Sequence, residues 1–499
     1  MCGLVGYAGR TPVVSAERLA AMRDTLSHRG PDDAGLWIGT SAAAAIGLGH
    51  RRLSILDTRT VGRQPMALPG GRVQIIFNGE IYNFLTLRAE LEAQGHRFET
   101  RSDTEVLLHL YQVHGAAMVD RLIGMFAFAI WDADAQRLLV VRDRLGIKPV
   151  FYGVTADGGV VFGSEVKALL AAGVLDDGID LQAMHDYLGL TYSPGPRTLL
   201  RGIKKLPPAH TLTWTPTGGV TLRRYWRQRF HSQGPARRAP RFEEAAEQTL
   251  DRLQTAVKRR LIADVPLGMF LSGGIDSSAV LWAMAQASSG PVKAFTIGFE
   301  EAGYDERQYA AIAAQAFGAE HHVEVVRPDP DTFMGPLTEA MDEPFADSSA
   351  IPLWYLCRVA RRHVTVSLGG DGGDELYAGY RTHFAWRLGA WYRQVPSALR
   401  ARVPQLVGRL PVSHGKVSFD LKARQFVHAA EHPAPVAHYR FKEFFSDPAR
   451  RALHGAQVED TARLFEEVFE RGRFRHELDG VLASDFAIYL PDDILVKVD

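Results

Sequence analysis

Cysteine is scarce in this chain of 499 residues, whose two cysteines are Cys2 and Cys357. A pair so far apart cannot form the disulfide framework of a small secreted protein, and this scarcity is typical of a reducing cytoplasm. Cys357 lies in PLWYLCRVARR, whose helical spacing predicts a thiol packed in a core. Cys2 directly follows the initiator methionine, and that position needs a separate explanation.

Long apolar runs and an excess of one charge are also missing. No stretch approaches the roughly 18 apolar residues of a membrane-spanning helix, and no basic segment followed by an apolar one forms a secretory signal. Lys plus Arg and Asp plus Glu are equal at 57 each, so charge favours neither a nucleic-acid nor a membrane partner. The ending DDILVKVD stops inside an apolar-rich run, from which we expect the natural chain to continue.

The length predicts two domains, and the N-terminal part is rich in strands. Short β-favouring runs bounded by turn residues occupy 73–78, 125–131, 137–142 and 159–163. Phe84, Leu87 and Leu91 recur at helical spacing, with Asn83 as the expected N-cap and Gly95 at the end. This mixture predicts an α+β domain built around sheets.

The C-terminal part has a different pattern. Residues 226–241 are basic, contain Gly and two prolines and have no periodicity, so they are interpreted as an interdomain linker with solvated arginines. A helix is expected from Phe242 to about Ile262, and strands then alternate with helices. Such alternation is typical of a parallel sheet flanked by helices, whose ligands bind at the carboxyl ends of the strands. Two glycine-rich segments follow predicted strands.

Cys2 has a chemical explanation for its position. If Met1 is removed, Cys2 carries a thiol and a free α-amino group on the same residue. An α-amino group has a pKa of about 8, so part of it is an unprotonated base near neutral pH. A thiol beside its own base is an activated nucleophile.

The segment FLSGGIDSS, residues 270–278, joins a predicted strand to a helix. Gly273 and Gly274 allow close backbone approach, the helix N-terminus attracts anions, and the serines add hydroxyl donors. The lysine of the GxxxxGK[ST] motif is missing, so this is not the P-loop of kinases and GTPases. The alternative is an ordinary capped turn, but the complete strand–SGGxDSS–helix pattern favours a phosphate site.

The segment SLGGDGGDELYAGY, residues 367–380, places Asp371, Asp374 and Glu375 in a glycine-rich loop. Carboxylate oxygens suit Mg²⁺ shared with nucleotide phosphates. The letters also fit the GGxGxDxUx calcium repeat, but that repeat needs tandem copies and one copy is present. A solvated acidic loop is the other alternative, which the preceding apolar strand disfavours. No histidine pair has the spacing of a zinc site.

The segment FNGEIYN, residues 77–83, contains a third candidate group. Asn78 and Gly79 would direct amide donors at a developing oxyanion, and Glu80 would accept from a substrate ammonium group. In isolation, Asn-Gly is more often a hairpin turn. An arginine in HRRLSILD and an aspartate in RSDTEVL would together suit a zwitterionic amino acid.

Taken together and in order, these motifs resemble those of one known family. The chain contains MCGLVGY, SHRGPDD, RLSILD, FNGEIYNF, RSDTEV, GMFAFAIWD, RDRLGIKPVFYG, FLSGGIDSS and GDGGDELYAGY. It resembles the glutamine-hydrolysing asparagine synthetases, class II glutamine amidotransferases, over nearly its whole length. The resemblance implies an α+β N-terminal nucleophile (Ntn) glutaminase domain with αββα layers over 2–225. It also implies an α/β ATP-pyrophosphatase domain, adenine nucleotide alpha hydrolase-like with a parallel sheet, over 242–499.

The resemblance also implies residue roles. Cys2 would be the nucleophile, Asn78 and Gly79 the oxyanion hole, and Asp371 would assist formation of an acyl-adenylate. The residues implied to bind glutamine are Arg52, Leu53, Ser54, Ile55, Leu56, Asn78, Gly79, Glu80 and Asp103. Those implied to bind ATP are Leu271, Ser272, Gly273, Gly274, Asp276, Ser277, Ser278, Ile297, Gly369 and Gly370. Asp276 and Asp374 would bind Mg²⁺, and Lys497 is a candidate for the family's later basic residue.

The implied reaction is ATP-dependent synthesis of asparagine from aspartate, with glutamine as nitrogen donor. The expected partners are these small molecules, without nucleic acid or membrane, in a cytoplasmic enzyme for which a homodimer is one assembly to test. An alternative is amidation of another carboxylate, on a sugar, peptide or cell-surface precursor. Relatives that close β-lactam rings generally lack a working Cys2 site, and SGGIDSS disfavours enzymes that share only the glutaminase half. A non-catalytic binding protein is disfavoured because Cys2, Asn78, Asp276 and Asp374 are all present.

Overall fold

The structure, a computed structural model, describes residues 1–41, 43–230, 240–300, 305–411 and 419–499. Most of the predicted linker, residues 231–239, lies outside these ranges. Within them, no helix combines the length and the apolar character that crossing a membrane requires.

The N-terminal half contains strands and helices in alternating groups. Its strands are β1 (Gly3–Gly9), β2 (Asp33–Thr40), β3 (Ala45–Arg52), β4 (Met66–Ala67), β5 (Val73–Ile81), β6 (Gly124–Asp132), β7 (Arg137–Arg142), β8 (Phe151–Val154), β9 (Val160–Gly163), β10 (Lys204–Lys205), β11 (His210–Thr215) and β12 (Gly219–Arg224). Its helices are α1 (Ala16–Asp24), α2 (Phe84–Ala93), α3 (Asp103–His114), α4 (Val166–Leu170) and α5 (Leu181–Leu190), with 3-10 turns at Thr60–Gly62 and Gly115–Arg121.

The described strands of this half form two antiparallel six-stranded sheets. One has the order β10-β8-β9-β1-β3-β2 and the other β12-β11-β7-β6-β5-β4. In the first sheet Gly3 pairs with Arg51, so the start of β1 lies beside the end of β3. In the second sheet Asn78 pairs with Ala127 and Gly79 with Phe126. Cys2, which directly precedes β1, therefore lies beside the end of β3, and its backbone N–H bonds Asn78 of β5 in the other sheet.

Alternating side chains produce four layers. Leu4 of β1 and Ile76 of β5 point between the sheets and share one buried core. The next residue in each strand points the other way, because successive side chains of a strand alternate. Val5 packs against α1 and α4, whereas Phe77 packs against α2 and α3. The αββα arrangement predicted for the N-terminal domain is confirmed.

The C-terminal half alternates strands and helices before it becomes all-helical. It contains α6 (Phe242–Arg260), β13 (Leu267–Phe270), α7 (Ile275–Ala287), β14 (Lys293–Gly298), α8 (Arg307–Ala316), β15 (Glu320–Val325), α9 (Pro330–Met341), α10 (Ala350–Arg361), β16 (Val366–Leu368), α11 (Gly373–Tyr377), α12 (Arg381–Tyr392), α13 (Ser397–Arg400), α14 (Val403–Gly408), α15 (Phe419–Ala430), α16 (Ala434–Arg440), α17 (Asp447–His454), α18 (Ala462–Gly472), α19 (Glu477–Ser484), a π-helical segment Asp485–Ile494 and α20 (Leu495–Val498).

The described strands of this half form a parallel four-stranded sheet in the order β15-β14-β13-β16. Met269 and Leu271 pack with α6, α7 and α8 on one face, while Phe295 packs with α10 on the other. The chain moves outward from β13 to β15 and then returns to β16 on the opposite side of β13. A sheet of this kind binds ligands where the strand order reverses, at the carboxyl ends. Both glycine-rich loops, after β13 and after β16, lie there, which confirms the parallel-sheet prediction.

Two local predictions were wrong. Asn83 stands at the N-cap position of α2, but its side chain bonds Arg121 and Ile123 across a neighbouring loop, and so it does not cap the helix. Cys357 is on α10 as expected, but it is exposed on the wall of a cavity and is not packed in a core. The surrounding protein still desolvates the thiol, which raises its pKa to about 11.

Candidate active site

Cys2 lies where the two N-terminal sheets meet. Its backbone N–H donates to Asn78 Oδ1 at 3.1 Å, and its Sγ lies 3.4 Å from the backbone N of Leu53. The thiol also contacts the Leu53 carbonyl oxygen at 3.6 Å. Burial raises the pKa of the thiol, so the surroundings alone favour its neutral form. A base is therefore needed to make Cys2 nucleophilic.

Asn78 and Gly79, both on β5, lie next to Cys2. Asn78 is fully buried, and its Nδ2 has no hydrogen-bond partner among the described residues. A buried amide donor left without a partner is costly, which suits a group kept for an incoming oxygen. A side chain at position 79 would put its Cβ 2.2 Å from the Met125 carbonyl oxygen, so the strand pairing requires glycine there.

Arg52 is held at the end of β3 by three carbonyl groups. Its guanidinium donates to the carbonyl oxygens of Leu56 at 3.2 Å, Asp57 at 2.6 Å and Arg59 at 3.1 Å. The loop after β3 thus folds around the arginine side chain and fixes its direction. Because Arg52 is buried and lines the cavity near Cys2, it suits a carboxylate ligand.

Two carboxylates face the same part of the cavity. Asp103 begins α3, where its Oδ2 accepts the backbone N–H of Ile81 at 2.9 Å. Burial raises the pKa of Asp103 to about 6. Burial and the neighbouring Asp103 also raise the pKa of Glu80 well above its ordinary value. Two acidic groups that resist simultaneous ionisation form a site for a cation such as an ammonium group.

The other predicted glutamine-binding residues belong to the loop after β3. Leu53, Ile55 and Leu56 line the cavity. Ser54 donates its backbone N–H to Asp32 Oδ2 at 2.8 Å, which ties this part of the loop to the 30–33 turn. The structure therefore brings together Cys2 and the residues implied to surround it, from three separate motifs.

The FLSGGIDSS segment forms a compact loop after β13. Ser272 Oγ lies 3.1 Å from Ser277 Oγ and accepts the backbone N–H of Gly274 at 3.2 Å. Gly273 has φ +77, and a Cβ there would lie 2.3 Å from a backbone carbon of Tyr309. Helix α7 then begins at Ile275 without a side-chain cap, so its first N–H groups and its dipole are available to an anion.

Two carboxylates from the two glycine-rich loops lie close together. Asp276 is in the first turn of α7, and the backbone of Gly370 packs against its side chain. Burial and the charge of Asp276 raise the pKa of Asp374. Among the described residues no group of three or more His, Cys, Asp or Glu is arranged to hold a metal ion. An oxygen-loving cation bound by this pair would need further ligands such as phosphate oxygens and water.

Asp371 belongs to the loop after β16, and the charge of Lys497, on α20, acts on it. Burial raises the pKa of Asp371, while the charge of Lys497 lowers it. Lys497 Nζ donates to Asp347 Oδ2 at 2.8 Å and to Ser349 Oγ at 2.7 Å. The ammonium group of Lys497 is therefore held where its charge acts on Asp371, and Asp371 lines the cavity.

The remaining predicted ATP-binding residues are split between wall and core. Gly369 and Gly370 line the cavity with Asp276. Leu271 and Ile297 pack in the apolar cores on the two faces of the parallel sheet. Ser278 donates its backbone N–H to the Gly274 carbonyl oxygen in the first turn of α7. Their contacts with a nucleotide stay predictions.

One cavity of about 1430 Å³ connects the two groups of residues. At one end its wall contains Cys2, Asn78 and Glu80, and at the other it contains Asp276 and Asp371. The intervening wall comes from α6, α10 and the loops that join them to strands. Residues from both halves of the chain therefore line one continuous cavity.

The sequence interpretation assigned no role to two buried cations near Cys2. Arg29 Nε donates to the Cys2 carbonyl oxygen at 2.9 Å, and Lys148 Nζ donates to Asp499 Oδ1 at 2.7 Å. Arg29 lies in SHRGPDD and Lys148 in RDRLGIKPVFYG, two of the motifs on which the family resemblance rests. The sequence therefore marked both segments without indicating a role for these two residues. Their partners come from distant parts of the chain and could not be read from spacing.

Comparison with known proteins identifies the class that this fold and site define. Residues 1–226 match a family model described as a glutamine amidotransferase domain. Residues 248–499 match a family model described as asparagine synthase. The chain therefore belongs to the asparagine synthase family, with an amidotransferase domain at its N-terminus.

Named relatives agree with this assignment. The chain is 36% identical over 418 residues to asparagine synthetase [glutamine-hydrolyzing] 1 of Bacillus subtilis, covering 82% of this chain and 64% of that protein. It is 32% identical over 566 residues to asparagine synthetase [glutamine-hydrolyzing] 3 of the same organism, covering 100% of this chain and 86% of the relative. It is also 30% identical over 409 residues to amidase chry2 of Gibberella zeae, covering 76% of this chain and 59% of that protein.

Proposed function

We propose that this protein makes asparagine from aspartate in an ATP-dependent reaction, with glutamine as the nitrogen donor. The observation that carries the proposal is the continuous cavity, because it joins a thiol beside an unpaired amide donor to a phosphate-binding type of loop. Family membership and the named relatives support the same reaction.

The first step is hydrolysis of glutamine. Arg52 binds the glutamine carboxylate, and Glu80 and Asp103 bind its ammonium group. Cys2, freed of Met1, attacks the side-chain carbonyl carbon while its own α-amino group takes the thiol proton. Asn78 Nδ2 and the Gly79 N–H stabilise the oxyanion, ammonia leaves, and water releases glutamate from the thioester.

The low pKa of the N-terminal amino group supports the role of the Cys2 α-amino group as the base. Burial and the charges of Arg29 and Lys148 lower the pKa of the Met1 α-amino group to about 5, despite the opposing effects of Cys2 and Asp499. A group with such a pKa is an unprotonated base at neutral pH. After removal of Met1, the Cys2 nitrogen would occupy the position 3.1 Å from Asn78 Oδ1 and would be held there by it.

The second step is activation of aspartate. The loop from Ser272 to Ser278 holds the ATP phosphates, and Leu271, Ile297, Gly369 and Gly370 contact the nucleotide. The β-carboxylate of aspartate attacks the α-phosphorus and releases pyrophosphate, with Asp371 beside the reacting groups. Ammonia that has crossed the cavity then displaces AMP from the β-aspartyl-AMP and forms asparagine.

The carboxylates of Asp276 and Asp374 suit Mg²⁺, since they are oxygen ligands near enough for the charge of Asp276 to raise the pKa of Asp374. When bound, Mg²⁺ would reduce the repulsion between the substrate carboxylate and the phosphates. Lys497, fixed by Asp347 and Ser349, would attract the departing pyrophosphate.

The proposal includes the organisation of the chain. A glutaminase domain over 2–225 and a synthetase domain over 242–499 are supported by the end of β12 at Arg224 and the start of α6 at Phe242. A cytoplasmic location is supported by the two-cysteine composition. A homodimer is proposed from the family resemblance, and light scattering would give twice the 55.1 kDa of one chain.

One experiment tests the reaction. Purified protein is incubated with glutamine and Mg-ATP, with and without aspartate, and AMP, pyrophosphate and amino acids are measured. We expect pyrophosphate and asparagine that both require aspartate. Glutamate formation without any aspartate-dependent pyrophosphate or asparagine would contradict this acceptor.

One relative that matches 76% of this chain is named an amidase and not an asparagine synthetase. This name favours a second acceptor class. The same incubation with other carboxylates on sugars or peptides tests this alternative. Mass spectrometry would then find the amide of the added acceptor and no asparagine.

A further inference from the structure

Two side chains bind the backbone of Phe77, the residue that precedes Asn78 on β5. The amide oxygen of Gln64 accepts the Phe77 N–H at 2.6 Å, and His50 Nε2 lies 2.9 Å from the Phe77 carbonyl oxygen. Because a carbonyl oxygen can only accept, the proton of the His50 ring is on Nε2. Side chains therefore bind both backbone groups of Phe77, as a neighbouring strand would in a regular sheet.

The bonds of the neighbouring strand β6 show where the backbone of Gly79 points. Phe126 of β6 lies opposite Gly79, but its N–H donates to Asp143 Oδ2 at 3.2 Å and its carbonyl oxygen accepts the Asp143 N–H at 2.8 Å. Phe126 therefore directs its backbone groups toward β7, and Gly79 does not bond it. The backbone groups of Gly79 point away from β6, as those of Phe77 do, because alternate residues of a strand share an edge.

Side chains bind this outer edge of β5 on both sides of Gly79. Two residues before it, the Phe77 N–H donates to Gln64. Two residues after it, the Ile81 N–H donates to Asp103 Oδ2 at 2.9 Å. Gly79 itself lines the cavity. The bonds on either side thus fix the direction in which its N–H meets a ligand.

The bond from His50 also fixes the position of Asn78. Asn78 directs its side chain between the two sheets, where Oδ1 accepts the Cys2 N–H at 3.1 Å. His50 lies on β3 of the other sheet and crosses the same space to reach Phe77. The two sheets are therefore joined one residue away from the amide donor of Asn78.

The two side chains that bind Phe77 are themselves well fixed. Gln64 and His50 are both buried. Gln64 Nε2 donates to Thr104 Oγ1 at 3.3 Å, in the first turn of α3. Burial lowers the pKa of His50 to about 4, so its ring stays neutral near neutral pH and keeps the Nε2 proton.

We propose that Gln64 and His50 are positioning residues for glutamine hydrolysis, which hold the backbone of Phe77 so that the Asn78 amide and the Gly79 N–H point at the oxyanion. The proposal rests on the proposed function, since it assumes that Cys2 hydrolyses glutamine. The oxyanion forms after glutamine has bound. Loss of either side chain should therefore lower kcat and leave the KM for glutamine nearly unchanged.

The test compares glutamine hydrolysis with the reactivity of the Cys2 thiol in the full chain. Gln64→Leu and His50→Leu should each lower kcat for glutamate formation by about tenfold or more, with a KM for glutamine within about twofold of the wild type. Alkylation of Cys2 by iodoacetamide, followed by peptide mass spectrometry, forms no oxyanion and should keep the wild-type rate. His50→Gln, which retains an N–H donor, should regain much of the lost kcat.

Gln74→Leu is the matched control. Gln74 is also a buried glutamine, and its Nε2 donates to the Gly71 carbonyl oxygen at 3.0 Å. It lies on β5 itself, at the other end of the strand from Gly79. The kcat, the KM for glutamine and the alkylation rate of this variant should equal those of the wild type.

Three outcomes would overturn the proposal: an unchanged kcat in Gln64→Leu and His50→Leu, a fall in kcat accompanied by an equal fall in the alkylation rate, or an equal fall in kcat in Gln74→Leu. Failure of the proposed function is a different result. Glutamate formation by the wild type without any aspartate-dependent asparagine would overturn the acceptor and leave this test valid. A wild type that forms no glutamate from glutamine would overturn both proposals.

Discussion

The carboxylate of Asp264 accepts a hydrogen bond from the backbone N–H of Asp57 at 2.8 Å, although the two residues are 207 positions apart. The Asp264 N–H returns a bond to the Ile55 carbonyl oxygen at 3.0 Å. Asp57 has φ +50, a strained conformation for a residue other than glycine, and its own carbonyl accepts from Arg52. The connection between α6 and β13 therefore supports the loop that orients Arg52.

Asp264→Ala is expected to weaken glutamine binding. Loss of the support would relax the loop and misdirect Arg52, at a cost of about 1 to 2 kcal/mol. This corresponds to a KM for glutamine that is higher by roughly 5- to 30-fold, with a smaller change in kcat. Asp264→Asn keeps an acceptor oxygen and should retain most of the affinity. Steady-state glutaminase kinetics measure both.

Asp251→Ala, which removes an exposed carboxylate of α6, serves as the control for this series. Its KM for glutamine should equal that of the wild type. A KM that is equally unaffected in Asp264→Ala would show that Arg52 is oriented without help from the second half of the chain.

Cys2→Ala separates the two proposed reactions. Removing the thiol removes the nucleophile, so glutamate formation and glutamine-dependent product should fall to background. The glycine-rich loops are left unchanged, and product formation with ammonium chloride should continue at a rate close to the wild type. Both nitrogen sources are assayed in one preparation. Equal loss of the two activities would mean that Cys2 does more than hydrolyse glutamine.

Local patterns predicted most of the secondary structure and both loops because these features depend on nearby residues. The β-favouring runs at 73–78 and 125–131 lie within β5 and β6, as their apolar patterns predict. The contacts made by Arg29 and Asp264 were not predicted. Arg29 meets Asp499 across 470 positions, and such a pair is set by how the two halves pack. The prediction that Asn83 caps α2 was wrong for the same reason, since its side chain bonds Arg121 and Ile123 of a neighbouring loop.

Gly273→Ala is expected to disable the nucleotide loop selectively. Its φ of +77 disfavours any side chain, and a Cβ would collide with the backbone of Tyr309 on α8. The loop must shift, so aspartate-dependent pyrophosphate release should fall by about tenfold or more for a cost of roughly 1.4 kcal/mol. Glutamate formation by Cys2 should continue.

Gly290→Ala is the matched control, because open space surrounds that position and its φ lies outside the positive range. Pyrophosphate release should be unchanged in this variant. Retention of full pyrophosphate release in Gly273→Ala would contradict the role assigned to the loop after β13.

The raised pKa of Asp103 predicts opposite effects of pH on stability and on glutamine binding. Burial raises its pKa in the folded protein to about 6, whereas an unfolded chain has an aspartate pKa of about 3.9. Between these values the folded protein binds a proton that the unfolded chain does not. The free energy of unfolding contributed by this group therefore rises as pH falls from about 6 to about 4, and it is lowest above 6.

Glutamine binding should change in the other direction. The substrate ammonium group needs an ionised partner, so the KM for glutamine should rise as pH falls through about 6. Asp103→Asn should have a high KM at every pH without this inflection, and at neutral pH it should gain thermal stability because a buried charge is removed. Asp24→Asn, a substitution on the surface of the N-terminal half, should keep the wild-type profile. A wild-type KM that does not vary across this pH range would rule out Asp103 as the ammonium ligand, since the ionisation on which its binding depends would then be absent.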